Sequence, residues 1–431
     1  MLSAKWSNPD QRRPHIALVD CNNFYASCER VFMPAWQHRP IGVLSNNDGC
    51  LVARSNEVKA AGIPMGAPYF KYKAQLEAIN AIVVSSNYAL YGDMSARVMN
   101  TLSQFAPEVE IYSIDEAWLD LSGFSADRLD GYGREIAATI LQHTGIPVSI
   151  GIAPTKVLAK IANRICKKRN IPGRVFNLGN ERYLDHVLQA VAVGDIWGVG
   201  PRWARRLKAQ GIRTALDLRN ADVQQIRDRY NVVMQRLVLE LRGQPCLEFE
   251  EIQPKKQILA SRSFGERVED LPTLMEAVSS HAARAAEKLR SQSSVCGALQ
   301  CSIRTGRHNP NEPFFGRSAV VQFPRPTADT RQLITAACQG LKQIYRQGPR
   351  YAKAGIMLLD LSSSHHQQGD LFSSSDKNSD SLMETIDKLN QLYGRRSVFF
   401  AGEGVTRSWS MKQERRTRSY TTQWEELPIV H

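Results

Sequence analysis

One stretch constrains this chain more than any other. Residues 111–121, IYSIDEAWLDL, set two adjacent carboxylates, Asp115 and Glu116, between two apolar, strand-like runs. Apolar residues on both sides predict a buried or half-buried β-hairpin. Neighbouring acids in such a place are costly unless something cancels their charge. A hard divalent cation such as Mg²⁺, which prefers carboxylate oxygens, does this well. A solvated turn also accommodates an Asp-Glu pair, so on this stretch alone both readings stand.

A chain of 431 residues predicts two to four domains. Lys and Arg number 55 against 42 Asp and Glu, a formal charge of +13, which favours a polyanionic partner and nucleic acid first. The eight cysteines form no CxxC pair and have no His at zinc-finger spacing. They read as reduced thiols in a cytoplasm. No signal peptide and no run long and apolar enough to span a bilayer occurs, so no membrane partner is expected.

Taken in order, residues 1–14 are polar. The run HIALV (15–19) reads as a buried strand ending at Asp20. An acid there suits a catalytic ligand, and it equally suits a cap for the helix starting near Phe24, with Asp20 or Asn22 in that role. Two short strands flank the turn 46–49, NNDG. A helix over 56–61 carries Lys59 and stops at Gly62. The run PVSIGIA (147–153) is a strand, and Thr155 caps a helix whose Val157, Leu158, Ile161 and Ile165 share one face. Its Lys156, Lys160, Arg164, Lys167 and Lys168 read as a solvated basic face. Further on, IWGVGP (196–201) leads into RWARRLKAQ and Gly211, the pattern of a helix-hairpin-helix. Backbone N–H groups at Gly198 and Gly200, with Arg202, Arg205 and Arg206, suit a duplex phosphate backbone. Another helix, 232–242, closes this region at Gly243. Beyond a Pro-containing linker the order is strand, helix, strand, strand, helix, strand, a small α+β domain with Arg304 near a strand end. Residues 362–381 are rich in Ser, Gln, Asp and His and read as a flexible tether. Inside it lies Gln368-Gly369-Asp370-Leu371-Phe372, and a last helix over 382–393 precedes a basic, aromatic tail.

The early acids now make a set: Asp20 at one strand end, and Asp115 with Glu116 in the hairpin. Two divalent ions held by such a set stand roughly 3.5–4 Å apart and activate an in-line phosphoryl displacement. A triphosphate also needs cations, which Lys59 and Lys167 supply. No P-loop, Ser-His-Asp set or dinucleotide fingerprint competes. The same acids would serve a nuclease that activates water, and a non-catalytic DNA-binding scaffold is a third reading.

The motifs LVDCNNFYASCE (18–29), VLSNNDGCLVARSNEVKAAGI (43–63), SSNYALYGDMS (85–95), EIYSIDEAWLDL (110–121) and GIAPTKVLAKIAN (151–163) carry a resemblance. The chain resembles the Y-family DNA polymerases, and within them the UmuC-like catalytic subunits of bacterial DNA polymerase V. The similarity continues through IWGVGPRWARRL, SRSFGERV (261–268), AARAAEKLR (282–290) and the tail. It implies an α+β multidomain right hand: palm over 15–25 and 81–175, fingers over 26–80, and a helix-hairpin-helix thumb over 176–243. A linker (244–256), an α+β little finger (257–362), a flexible linker (363–381) and a small C-terminal docking module (382–431) follow. By motif match, Asp20, Asp115 and Glu116 are the catalytic metal ligands for two Mg²⁺ ions, with the Cys21 carbonyl a further ligand. Tyr25 takes the steric-gate position against a ribose 2′-OH. Asn56, Lys59 and Lys167 match triphosphate contacts, although many relatives have Tyr where Asn56 stands. Residues 50–53 would roof the new base pair. Gln368, Leu371 and Phe372 resemble a sliding-clamp-binding peptide, with Gly369 departing from its usual Leu. The resemblance implies error-prone translesion synthesis from dNTPs on primer-template DNA in the bacterial SOS response. It also implies a UmuD-like accessory dimer, RecA and the beta sliding clamp as partners.

Overall fold

The computed structural model describes residues 14–169, 171–179, 184–250, 253–307, 312–365 and 377–427. The chain divides into two compact units. The first comprises Met1–Leu44, Cys50–Glu251 and Arg415–His431; the second comprises Ser45–Gly49 and Ile252–Glu414.

The first unit opens with β1 (Ile16–Cys21) and α1 (Phe24–Phe32). A small layer follows: β2 (Ile41–Leu44), β3 (Leu51–Arg54), α2 (Asn56–Ala60), α3 (Tyr69–Ala78) and β4 (Ile82–Ser85). The chain then forms α4 (Tyr88–Leu102), the hairpin β5 (Val109–Ile111) and β6 (Glu116–Asp120), α5 (Leu129–Thr144), β7 (Val148–Ala153), α6 (Lys156–Arg169) and β8 (Val175–Asn177). The strands assemble as a sheet of order β5-β6-β1-β7-β8 and a smaller one of order β3-β2-β4. Strand β1 is buried along its whole length, as its unbroken apolar run predicts. Its alternation serves two cores. Ala17 and Val19 pack with α1, α4 and α5, while Ile16 and Leu18 pack with α6 and the helices beyond it.

Strand β4 runs parallel to β2, Val83 opposite Gly42, so the small sheet continues past residue 80, where the fingers were expected to end. Helix α1 lies across the expected boundary at 25/26, and its Ala26 and Cys28 join the core formed with β1, α4 and α5. Helix α6 sits directly on β7. A Cβ added at Gly151 would stand 2.2 Å from Asn163 N and 2.3 Å from Ala159 O, so only glycine permits this approach.

Helices α7 (Leu184–Gln189), α8 (Pro201–Ala209), α9 (Ala215–Asn220), α10 (Val223–Arg229) and α11 (Val232–Leu241) complete the helical part. The turn before α8 requires Gly198, whose φ is +90° and whose α-carbon faces Leu237. Pro201 opens α8, and Thr214 with Asp217 forms a capping box on α9.

The second unit follows the expected order: β9 (Ile258–Val268), α12 (Leu271–Ser291), β10 (Ser294–Thr305), β11 (Gly316–Thr327), α13 (Thr330–Ile344) and β12 (Tyr351–Ser363). Its sheet, order β11-β10-β12-β9, is antiparallel throughout. Both helices cover one face over a shared core. Helix α14 spans Lys377–Leu392 and begins inside the stretch expected to be a linker. Ser379 explains the early start: its hydroxyl donates to Asp329 Oδ2 at 2.6 Å, and its side chain is buried there. The division between the two units falls inside the C-terminal stretch. Residues up to Glu414 belong to the second unit and Arg415–His431 to the first.

Candidate active site

The site is built on the register of two strands. β1 and β6 pair antiparallel with Asp20 opposite Glu116. Cys21 N donates to Asp115 O at 2.8 Å, which ties the hairpin turn to the end of β1. Asp115 is oriented within the turn by Ser113, whose hydroxyl donates to Asp115 Oδ1 at 2.6 Å. The backbone of Asp20 is thereby set beside that of Asp115 and Glu116, about 95 residues on. Asp20 is buried and does not cap α1. Asn23 takes that place in a left-handed conformation at φ 49°, and Asn22 Oδ1 instead accepts from Ser149 Oγ at 2.9 Å.

The electrostatics are those of crowded carboxylates. Burial pushes the Asp20 carboxyl well up from its ordinary range, and the hydrogen bond and charge of Glu116 add to this against the pull of Lys167. Burial works the same way on Glu116, but its hydrogen bond with Asp20 and the charges of Lys160 and Lys167 hold it below the ordinary value. Lys167 pairs with Asp20, and Lys160 Nζ pairs with Glu116 Oε2 at 2.6 Å. The two ammonium groups partly neutralise the pair. Among the described residues, no three His, Cys, Asp or Glu side chains converge closely enough to hold a metal as they stand. Asp20 and Glu116 are turned to the lysines. The donor chemistry nonetheless suits a hard divalent cation: all-oxygen ligands, clustered negative charge, and a buried carboxylate that resists ionising without a positive neighbour.

Asp20, Cys21, Asp115, Tyr25, Asn56, Lys59 and Lys167 line one cleft of about 890 Å³. Asn23 connects two of them: its amide donates to Asn56 Oδ1 at 3.0 Å, and its carbonyl oxygen accepts from Lys59 Nζ. Burial, then the charges of Arg54 and Lys167, hold the Lys59 ammonium below its usual value. Arg54 also lines the cleft, with its Nε buried and unpartnered among the described residues. Cations thus face the open side of the acids, an arrangement that receives an anion. Tyr25, which lines the cleft, lies flat against Tyr91, ring centroids 4.4 Å apart at 14°.

Sequence reasoning missed Lys160, Asn23 and Arg54, and it misread Lys156. Lys156 is not on a solvated face. It is 2 % exposed, pairs with Glu110 at 2.6 Å, and lies over the rings of Trp118 and Phe249. Lys160 stands one helical turn further on the same stripe. That i, i+4 spacing was the available signal.

None of the expected DNA-contact residues is among those that line the cleft. Arg202 and Arg205 are exposed on α8. Arg206 is exposed as well, and its guanidinium stacks over Trp203 and Tyr230, at 5.2 and 5.0 Å from the ring centroids, which braces the helices. In the second unit Arg304 stands opposite Lys353 in the register of β10 and β12, while the intervening Cys301 and Ile303 face the core. Gln368, Leu371 and Phe372 lie outside the described residues.

Residues 19–164 match the impB/mucB/samB family, and residues 255–371 match the C-terminal domain of the same family. Protein UmuC of Salmonella typhimurium is 48% identical over 417 residues, 95% of this chain and 99% of that protein. The chain belongs to the impB/mucB/samB family. Another relative in this family, Protein MucB of Escherichia coli, is 42% identical over 96% of this chain and 99% of its own length. Residues 380–430 match a domain of unknown function. Among solved structures, a Y-family DNA polymerase chimera of Dbh and Dpo4 has a TM-score of 0.64 at 20% identity, covering 81% of this chain and 99% of that one. An insertion ternary complex of Dbh DNA polymerase has a TM-score of 0.54 with the same coverage. The fold of this impB/mucB/samB member is the right-hand fold of the Y-family polymerases. No helix among the described residues is long and apolar enough to cross a membrane.

Proposed function

We propose that this chain is a DNA-directed DNA polymerase that copies damaged templates, acting in the bacterial SOS response. Membership of the impB/mucB/samB family and the Y-family fold support the polymerase reading. The observation that carries the assignment to this cleft is the meeting of Asp20, Asp115 and Tyr25 with Lys59 and Lys167 around one cavity. In the reaction, the primer 3′-oxygen attacks the α-phosphorus of a dNTP. The bond from that phosphorus to the bridging oxygen breaks, and pyrophosphate leaves.

Asp20, Asp115 and Glu116, with the Cys21 carbonyl, would hold two Mg²⁺ ions. When bound, such ions lower the pKa of the attacking hydroxyl and stabilise the charge of the leaving group. Lys59 and Lys167 bind the triphosphate, and Asn56, held by Asn23, borders the same path. Tyr25 excludes a ribose by meeting its 2′-OH. Arg202 and Arg205, with the turn at Gly198 and Gly200, hold duplex by its phosphates, and Arg304 does so in the second unit.

A UmuD-like dimer, RecA and the beta sliding clamp are the proposed partners, the last through Gln368, Leu371 and Phe372. A cytoplasmic site of action, at the nucleoid when active, follows from that role. The test is extension of a primed template opposite an abasic site with dNTPs and Mg²⁺, with and without activated RecA and the accessory dimer. Extension past the lesion is the expected result; primer shortening without extension would indicate a nuclease instead.

A further inference from the structure

The segment at residues 415–420 belongs to a domain of unknown function, yet it reaches the back of the candidate sugar gate through a continuous set of contacts. Tyr25 rests on Tyr91, and Tyr88 meets both rings edge-on, at centroid distances of 6.0 and 6.2 Å. Tyr91 is wholly buried, and its hydroxyl donates to Glu29 Oε1 at 2.6 Å. Glu29 lies one helical turn after Tyr25 on α1 and is itself wholly buried. The same Glu29 oxygen accepts from the Thr417 hydroxyl at 3.2 Å. Its other oxygen is buried without a partner among the described residues. Burial pushes this carboxyl up to about 7, with the Tyr91 and Thr417 hydroxyls acting against the shift.

The segment is fixed at both ends. Arg415 N donates to Ser85 Oγ at 3.0 Å, and Ser85 N donates to Arg415 O at 3.1 Å, continuing from the end of β4. Tyr420 stacks on Phe32 of α1, centroids 4.9 Å apart at 9°. Between these anchors Asn87, the cap of the helix that carries Tyr88 and Tyr91, donates to Thr417 Oγ1 at 3.2 Å and to Arg418 O at 3.1 Å.

We propose that residues 415–420 act as an intramolecular strap that positions Tyr25, through Thr417, Glu29 and Tyr91, and thereby sets how strongly the polymerase rejects ribonucleotides. This rests on the reading of Tyr25 as the sugar gate. The physical basis is that a gate works only if its ring cannot yield. Tyr25 lines the cleft and lies stacked on Tyr91, so its ring can yield only if Tyr91 yields with it. Tyr91 is held at its polar end by a buried carboxyl group that has hydroxyls as partners rather than a cation. Removing the strap's hydroxyl leaves that group with one partner fewer and leaves the Asn87 cap short of an acceptor. Buried polar groups in that state rearrange toward new partners or water. Thr417 touches no substrate; it is a positioning residue.

The test uses the full chain and single-nucleotide extension, read as the ratio of kcat/KM for a dNTP to that for the matching rNTP. Thr417→Val and Tyr91→Phe should each lower this ratio by about 5-fold, the size a single hydrogen bond commands. The kcat/KM for the dNTP should change less than the ratio. Thr417→Ser should retain discrimination, and the Thr417→Val/Tyr91→Phe double variant should fall less than the product of the single effects, because both act on one carboxyl group. Full discrimination in Thr417→Val and Tyr91→Phe, alongside its loss in Tyr25→Ala, would overturn the strap while leaving the gate intact. Unchanged discrimination in Tyr25→Ala would overturn the gate and the strap together.

Discussion

Lys160 Nζ lies 2.6 Å from Glu116 Oε2 and is held over the rings of Tyr112, Trp118 and Trp197, at 4.9, 5.9 and 5.7 Å from their centroids. The aromatic box keeps an ammonium beside a carboxylate proposed to bind metal. If Glu116 holds a divalent ion as proposed, Lys160 would compete with it. Lys160→Met should lower the Mg²⁺ concentration for half-maximal primer extension by about 3- to 10-fold, the scale of a partly exposed ion pair. A Mg²⁺ titration of both proteins checks this, and an unchanged or raised requirement would remove the competitor role.

Gly151 controls how α6 approaches the sheet. Gly151→Ala places a methyl group 2.2 Å from Asn163 N, against backbone rather than a yielding side chain. The expected loss is about 3 kcal/mol, at the upper end for overpacking. Thermal melting should show a clear drop, with extension impaired because α6 carries both Lys160 and Lys167. An unchanged melt would mean that α6 can lift away freely.

Much of this arrangement is legible in the sequence. The unbroken apolar runs of β1 and β7 announce central strands, and the expected hairpin forms, although its first strand is Val109–Ile111 and Ile111 and Tyr112 are exposed rather than buried. The strand and helix order of the second unit also follows from local pattern. What local pattern cannot convey is which face of a helix another element will cover. Lys156 looks solvated until Trp118, Phe249 and Glu110 are brought over it. Thr417 and Glu29 are 388 residues apart, and no periodicity connects them. The division of the tail at Glu414 has the same cause: its last residues pair with Ser85 and Phe32, which nothing in their own composition specifies.

The three arginines Arg202, Arg205 and Arg206 on α8 should not behave alike. Arg202→Ala and Arg205→Ala should weaken binding to duplexes of any sequence alike, each reducing the slope of affinity against salt by about 1. Arg206→Ala should instead lower thermal stability, because its guanidinium stacks on Trp203 and Tyr230 and donates to Arg229 O at 3.2 Å. Salt-dependent binding and melting curves distinguish the three. An effect of Arg202 confined to one sequence would contradict phosphate contact.

His281 makes the second unit sensitive to acid. Burial, then the charges of Arg262, Arg407, Arg284 and Lys353, hold it down to about 3. A depressed histidine is neutral in the fold and takes up a proton more readily when unfolded. Its contribution is therefore complete above about pH 6.5, and it is lost as pH falls toward the folded value. Between pH 7.5 and 5 the loss is about 2 kcal/mol. His281→Leu should flatten this part of the stability profile in unfolding measured at both pH values. An identical slope in the two proteins would mean that the ring is already hydrated in the fold.

The proposed polymerase centre depends on Asp115, which the Cys21–Asp115 backbone hydrogen bond places beside the end of β1. The most direct measurement is extension of a primed template by the full chain and by Asp115→Asn, with duplex binding measured in parallel. The expected result is templated extension by the unaltered protein and a loss of roughly 100-fold or more in the variant, several kcal/mol of transition-state stabilisation, with binding retained. Extension at the same rate in Asp115→Asn would contradict the assignment.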